Sequence, residues 1–209
     1  MLASILLMTA AVAMADVPPV PGLCSAPVPE NRDAPGCYKT GEIDLADAPN
    51  EIFWHVYLYP TLDDANAEAA RHRWAAVAQA HSRTWLYVLG DESEPISGGT
   101  RRAVVGPLHL SADRSTAHFS EAIFPPGMQT RVHSHPGPEA FYVVEGEQCM
   151  ETPTDKRLIA AGGTYIVERG PHLQAAPKGR RNLVLIIAPR RQPAVVPGGD
   201  WEPTGFCSP

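Results

Sequence analysis

His133 and His135 stand one residue apart, Glu139 follows four residues after the second histidine, and Gly127 and Gly146 flank the group. A β-strand turns every second side chain to one face, so His133 and His135 project together while Ser134 points away. Pro136-Gly137-Pro138 predicts a chain reversal, after which Glu139 opens a second strand beside the first. Two imidazoles and a carboxylate then converge on one point. Such a set suits a divalent transition ion and leaves coordination positions for another ligand.

The spacing G-x5-H-x-H-x3-E-x6-G over Gly127, His133, His135, Glu139 and Gly146 resembles the first motif of the cupins. In that family a second motif, G-x5-P-x-G-x2-H-x3-N, brings a further histidine from the opposite side of a small β-barrel. From Gly162 this chain has Glu168 in place of the proline, Gly170 in register, His172 one residue early and Ala176 in place of the asparagine. The resemblance implies His172 as fourth ligand, a single cupin barrel, and one divalent ion from among Fe, Mn, Ni, Co, Cu and Zn. An HxH pair by itself is weak, since surface or core histidines give it often; here five fixed positions agree and a second motif follows.

Residues around the motif extend the site by parity. Arg131 and Gln129 share the parity of His133, and Phe141 and Val143 that of Glu139, so a regular hairpin turns the first pair into the cavity as substrate-binding groups and the second into its apolar wall. An interior arginine beside a cation points to an anionic or enolate-like ligand. The alternative is an ion pair of Arg131 with Glu145 or Glu168. Glu139, Tyr142 and Tyr165 are the candidate catalytic groups, the tyrosines as proton donors. Three functions fit: an oxidoreductase resembling dioxygenase cupins that act on phenolic or enolic substrates, a metal-dependent lyase or isomerase, and a small-molecule binding or sensing protein without turnover. A barrel fold does not choose among them.

These residues need strands to hold them. From 101 to 190 short strands alternate with turn residues, a pattern that predicts a mainly β chain with a small β-barrel or jelly roll. Ahead of it, over 51–100, EIFWHVYLYP reads as a strand, and Thr61 as the cap of an amphipathic helix running from Leu62 to about His81. RTWLYVLG reads as the next strand, giving a β-α-β elaboration. His72 falls on the polar face of that helix as a solvated residue; His55, His81, His109 and His118 have no partner at ligand spacing and read as structural. Residues 16–50 read as an irregular Pro-rich extension, and 191–209 as a Pro/Gly-rich tail packed on the barrel.

The 209 residues suffice for one domain with a sizeable core. A net charge of −6 without a basic patch argues against nucleic-acid partners. Met1 to Ala15 form an uncharged apolar run ending in Ala13-Met14-Ala15, which reads as a signal peptide for secretion or the periplasm, and no stretch is long enough to span a bilayer. Cys24, Cys37, Cys149 and Cys207 are an even set, which in an oxidising compartment predicts two disulfides; of three connectivities, Cys24–Cys37 with Cys149–Cys207 is preferred because each would fasten a Pro-rich end. Sheet edges and the helix face leave a homodimer open.

Overall fold

The structure is a computed structural model that describes residues 24, 26–111 and 114–208; the expected signal peptide lies outside the described residues. In chain order, β1 (Ala26–Pro27) and β2 (Gly36–Asp44) lead into β3 (Glu51–Tyr59), α1 (Leu62–Ala69), β4 (Ala75–Ala80), β5 (Arg83–Gly90) and β6 (Thr100–His109). The second half carries β7 (Ser115–Phe124), β8 (Met128–Gln129), β9 (His133–Ser134), β10 (Glu139–Glu151), β11 (Lys156–Ala160), β12 (Thr164–Val167), β13 (Leu173–Ala176), β14 (Arg180–Pro189) and β15 (Val196–Pro197). One antiparallel sheet orders its strands β4-β5-β3-β6. A larger, curled sheet runs β1-β2-β7-β14-β10-β13-β8, with β11 and β12 also paired to β10. The fold is mainly β, a curled jelly-roll barrel sheet with a second sheet laid against it.

β14 reads RRNLVLIIAP, an apolar run without alternation, because both of its faces are covered. Leu183, Leu185 and Ile187, with Phe119 and Tyr142 beside them, face Trp54, Trp85 and Tyr87 of the four-stranded sheet. Val184 and Ile186 face the barrel interior together with Phe124, Phe141, Val143 and Met150. Burying apolar surface in these two clusters stabilises the fold by about 25 cal/mol for each Å² removed from water.

Two expectations are corrected here. The helix ends at Ala69 instead of continuing to His81, because Ala75–Ala80 pairs in antiparallel register with β5, Ala75 opposite Val88 through Ala80 opposite Arg83. The connecting residues His81 and Ser82 both have positive φ, 50° and 58°, as a two-residue hairpin turn of the primed kind requires. His81 is held there by the barrel sheet: its amide donates to Glu121 Oε2 at 2.8 Å and its Nε2 donates to the Asn182 carbonyl at 2.9 Å. Tertiary pairing thus overrides helical spacing in an alanine-rich segment. The Thr61 cap is as expected, its hydroxyl accepting from the Asp64 amide.

Nor is the segment before residue 50 irregular throughout. Gly36–Asp44 is a nine-residue strand that pairs with β7, Cys37 opposite Ala122 and Asp44 opposite Thr116. The disulfides are Cys24–Cys37 and Cys149–Cys207, with Cα separations of 4.6 and 5.6 Å. Bonds of this kind persist in oxidising surroundings. No described helix is long and apolar enough to cross a membrane.

Candidate metal centre

Three separate pieces of chain bring the ligand set together. β9 supplies His133, the first residue of β10 supplies Glu139, and His172 immediately precedes β13. His133 and His172 are directly opposite each other in an antiparallel bridge, amide to carbonyl at 3.2 and 2.9 Å in the two directions. Residues so paired project to the same face, and their ring centroids lie 4.3 Å apart. His135 completes the group with its ring 5.1 Å from His133 and 5.3 Å from His172.

Two glycines permit this arrangement. A Cβ on Gly137, between His135 and Glu139, would stand 2.3 Å from the Ile187 carbonyl oxygen, so only glycine lets the hairpin lie against β14. Gly146, at φ 77°, would bring a Cβ within 2.1 Å of the Gly179 carbonyl oxygen, next to the bulge that β10 makes between Val143 and Glu145.

One donor atom from each of His133, His135, Glu139 and His172 lies within 4.8 Å of every other, and all four residues are buried. Backbone carbonyls fix the two imidazoles of the HxH pair. His133 Nδ1 donates to the Arg131 carbonyl at 2.8 Å, and His135 Nδ1 donates to the Ala194 carbonyl at 2.5 Å. A carbonyl only accepts, so the proton sits on Nδ1 and Nε2 is left for the centre. Nε2 of His135 and of His172 are 3.2 and 2.9 Å from Glu139 Oε2, yet neither is aligned for a hydrogen bond, and both are buried without a partner. Buried donors and acceptors are normally satisfied. A cation among these four atoms satisfies them all, and three imidazoles with one carboxylate are a donor set for a first-row divalent ion.

Electrostatics favour ionised Glu139 and neutral His133. Burial alone would raise the Glu139 carboxyl, but His135 and His172 outweigh it and hold it well below the usual range. Burial pushes His133 down to about 4, and His172 adds to the shift. For His135 burial acts downward, but the Glu139 carboxylate dominates and its value is raised. The Gln174 amide donates to both Glu139 oxygens at 3.3 Å. Thr130 Oγ1 accepts from the Gln174 amide N–H at 3.0 Å.

The other candidate residues fall differently. Arg131 and Gln129 are exposed and do not line the cavity. The parity that predicted them inside is broken by a bend at Val132 between β8 and β9, so Thr130 points in where Arg131 was expected. Phe141 and Val143 do share the interior face with Glu139, within the apolar cluster around the cavity. Tyr142 lies on the opposite face of β10, packed edge-on against Trp85 with its hydroxyl accepting from Arg102 Nε at 3.2 Å. Tyr165 donates its hydroxyl to Asp155 at 2.9 Å and, raised by burial to about 12, is a weak acid at neutral pH. Neither tyrosine reaches the histidines. His72, expected in solvent, is enclosed between Glu94 at 2.8 Å and Glu68 at 3.3 Å.

A residue that sequence reasoning missed is Arg180, 3% exposed at the start of β14. Its guanidinium stacks 4.0 Å over the Phe124 ring, donates from Nη2 to Gln174 Oε1 at 2.8 Å and from Nη1 to Gln148 Oε1 at 3.3 Å. Burial lowers it to about 9 against the upward pull of Glu139. Arg180, Thr130, Gln174 and the Cys24–Cys37 disulfide share with His133, His135 and Glu139 a narrow cavity of about 20 Å³ open to water-sized molecules. A doubled arginine opening an apolar strand was the available signal, since one of two neighbours must face inward.

No protein-family model matches the sequence, and no curated protein matches it. Among solved structures the chain is similar to a cupin-like protein of Thermotoga maritima, at 22% identity over 40% of this chain and 65% of that one, with a TM-score of 0.35. It is similar also to a cupin-2 domain protein of Shewanella frigidimarina, at 22% identity over 35% of this chain and 71% of that one, TM-score 0.31. A third is the DMSP lyase DddQ of Ruegeria pomeroyi, at 21% identity over 40% of this chain and 45% of that one, TM-score 0.35.

Proposed function

We propose that this cupin-type barrel is an exported, metal-dependent oxidoreductase of the dioxygenase kind acting on a small organic substrate. The observation that carries the metal is the convergence of four buried donor atoms within 4.8 Å, two of them imidazole nitrogens without a hydrogen-bond partner. In this reading His133, His135, Glu139 and His172 would hold one divalent transition ion. When bound, it supplies electrophilic and, for a redox-active metal, one-electron chemistry.

The chain's own residues bear on the choice of reaction. Val184, Ile186 and Phe124 give the cavity a dry wall, and its small volume excludes bulk water. Gln174 orients Glu139 through both carboxylate oxygens. A lyase or isomerase needs a group that gives or takes a proton at the substrate. Tyr142 and Tyr165, the proton donors that reading relied on, are bound elsewhere, and Thr130 is the hydroxyl that lines the cavity among the described residues. Apart from the ligand set itself, the described residues lining the cavity thus bind and orient and supply no separate proton carrier, which supports the redox reading over one that needs such a carrier. Export is supported by the two disulfides.

Metal analysis of the purified protein, with substrate screening in air and under argon, tests this. One equivalent of a redox-active ion and substrate-dependent oxygen uptake are expected. Glu139→Gln should weaken metal binding by more than the roughly 10- to 100-fold typical of losing an outer partner of a ligand. A protein that takes up no transition metal sinks the proposal, and full turnover under argon replaces it with the lyase reading.

A further inference from the structure

Arg180 is a buried guanidinium with no carboxylate in direct contact. Both of its described hydrogen bonds run to neutral amide oxygens, of Gln174 and Gln148, and its Nε is buried with no partner at all. Glu139 is reached only through the Gln174 amide and belongs to the ligand cluster. Burying a guanidinium in an apolar wall with no carboxylate against it is unfavourable, and such a group points to an anion supplied from elsewhere. The guanidinium also sits in a telling place. Arg180 and Phe124 line the inner cavity with the histidines, and the same two residues line an outer groove of 380 Å³ whose other charged residues, Lys178, Arg181, Asp33 and Glu145, are of both signs, with Arg181 paired to Asp33 and Glu145 and Lys178 to Glu147. The stacked pair therefore forms the partition between solvent and the ligand cluster.

We infer that Arg180 is the recognition residue for a short carboxylate, which enters by the outer groove and occupies the inner cavity between the guanidinium and the ligand cluster. The inference rests on the metal-centre reading for the far end of that ligand and names its substrate class. An uncoupled Nε–H beside the planar fork of an arginine is matched by a carboxylate oxygen, and a neutral amide or alcohol matches it poorly. Electrostatics point the same way, since Glu139 and Arg180 offset one another and a divalent ion leaves the interior with positive charge to be neutralised. The narrowness of the inner cavity favours a ligand of a few heavy atoms over an aromatic one.

Calorimetric titration with acetate, acetamide and benzoate, on metal-loaded and on metal-free protein, tests this alongside Arg180→Met and Arg180→Lys. Acetate should bind the parent roughly 10- to 100-fold more tightly than acetamide or benzoate, the span expected for a hydrogen bond to a charged group. Arg180→Met should lose that preference while keeping its metal content and melting temperature, and Arg180→Lys should retain part of it. Equal binding of acetate and acetamide by the parent overturns the inference, as does unchanged acetate binding by Arg180→Met. Benzoate binding as tightly as acetate removes the size limit and with it the short-chain assignment. Should Arg180→Met not fold, the acetate and acetamide pair on the parent and the lysine variant decide. Should the protein take no metal, the function proposed above fails, and acetate selectivity in the metal-free protein still decides the role of Arg180.

Discussion

The face that β10 and β14 turn toward the four-stranded sheet and the face that they turn into the barrel come from the same strands with opposite contents. Outward, with Phe119 of β7 beside them, they present Ala140, Tyr142, Leu183, Leu185 and Ile187 to Trp54, Trp85 and Tyr87. Inward, Phe141, Val143, Val184 and Ile186 surround a patch where Glu139, Gln174, Gln148 and Arg180 are buried as well. A polar group in such a place costs stability unless it is fully paired, whereas an aromatic pair contributes both area and geometry. The difference teaches that the added sheet anchors the barrel from outside, which leaves the inner face free to carry charge. Substitutions on the outer face should therefore lower stability and spare the metal site, and those that touch the support of the inner face should lower both.

The largest effect is expected at Phe119, fully buried, stacked 4.8 Å from Tyr87 and tilted 6.2 Å from Trp54. Phe119→Ala should cost about 3–5 kcal/mol in urea unfolding, through lost transfer energy and the cavity left behind. At a temperature where the variant is folded, its metal stoichiometry and affinity should equal the parent's. Loss of metal binding from the folded variant would break the proposed division between the faces.

How much of this was legible in the residues follows the same division. The HxH pair and Glu139 were readable because fixed local spacing sets them, and His172 because a shortened second motif still places it. Arg131 was misplaced since parity holds only within an unbroken strand, and a bend at Val132 is not encoded by any glycine or proline. Arg180 went unseen because which of Arg180 and Arg181 faces inward depends on the register of β14 against β10, where Arg180 lies opposite Gly146. Arg181 instead pairs with Asp33 at 2.6 Å. The barrel was legible as strands, but the helix boundary was not, because His81-Ser82 adopts a turn conformation usually announced by Asn or Gly.

A second, smaller effect tests the inner face through its support. Val196–Pro197 pairs with β9, and the carbonyl of Ala194 accepts a hydrogen bond from His135 Nδ1, so the tail orients a ligand. The tail's far end is fastened by Cys149–Cys207, which closes a separation of 58 residues. Replacing both cysteines by serine should cost about 2–4 kcal/mol. It should also weaken metal binding by roughly 10-fold, as expected when the partner of a ligating histidine is loosened. Titration with the metal found on the parent, followed by urea unfolding, measures both. A stability loss with unchanged metal affinity would show that the tail does not position His135.

The smallest effect concerns Glu151, which closes the same tail from the last position of β10. Its side chain is fully buried; Oε1 accepts from the amide and hydroxyl of Thr204, and Oε2 from the Cys207 amide at 3.4 Å. Burial alone would raise this carboxyl, but the bonds from Thr204 and Cys207 outweigh it and lower it from the ordinary 4.5. A carboxylate with a depressed native value stabilises the fold fully above its unfolded value, and that contribution is lost as the pH falls through the native one. Glu151→Gln should thus cost roughly 1–3 kcal/mol at pH 7, the range for hydrogen bonds to a charged group. The gap between parent and variant should narrow below pH 4.5 and close once the native carboxyl is protonated. Unfolding curves at intervals from pH 7 to about pH 2 measure it. A gap that stays constant over that range would mean that the glutamate holds the tail by shape and not by charge.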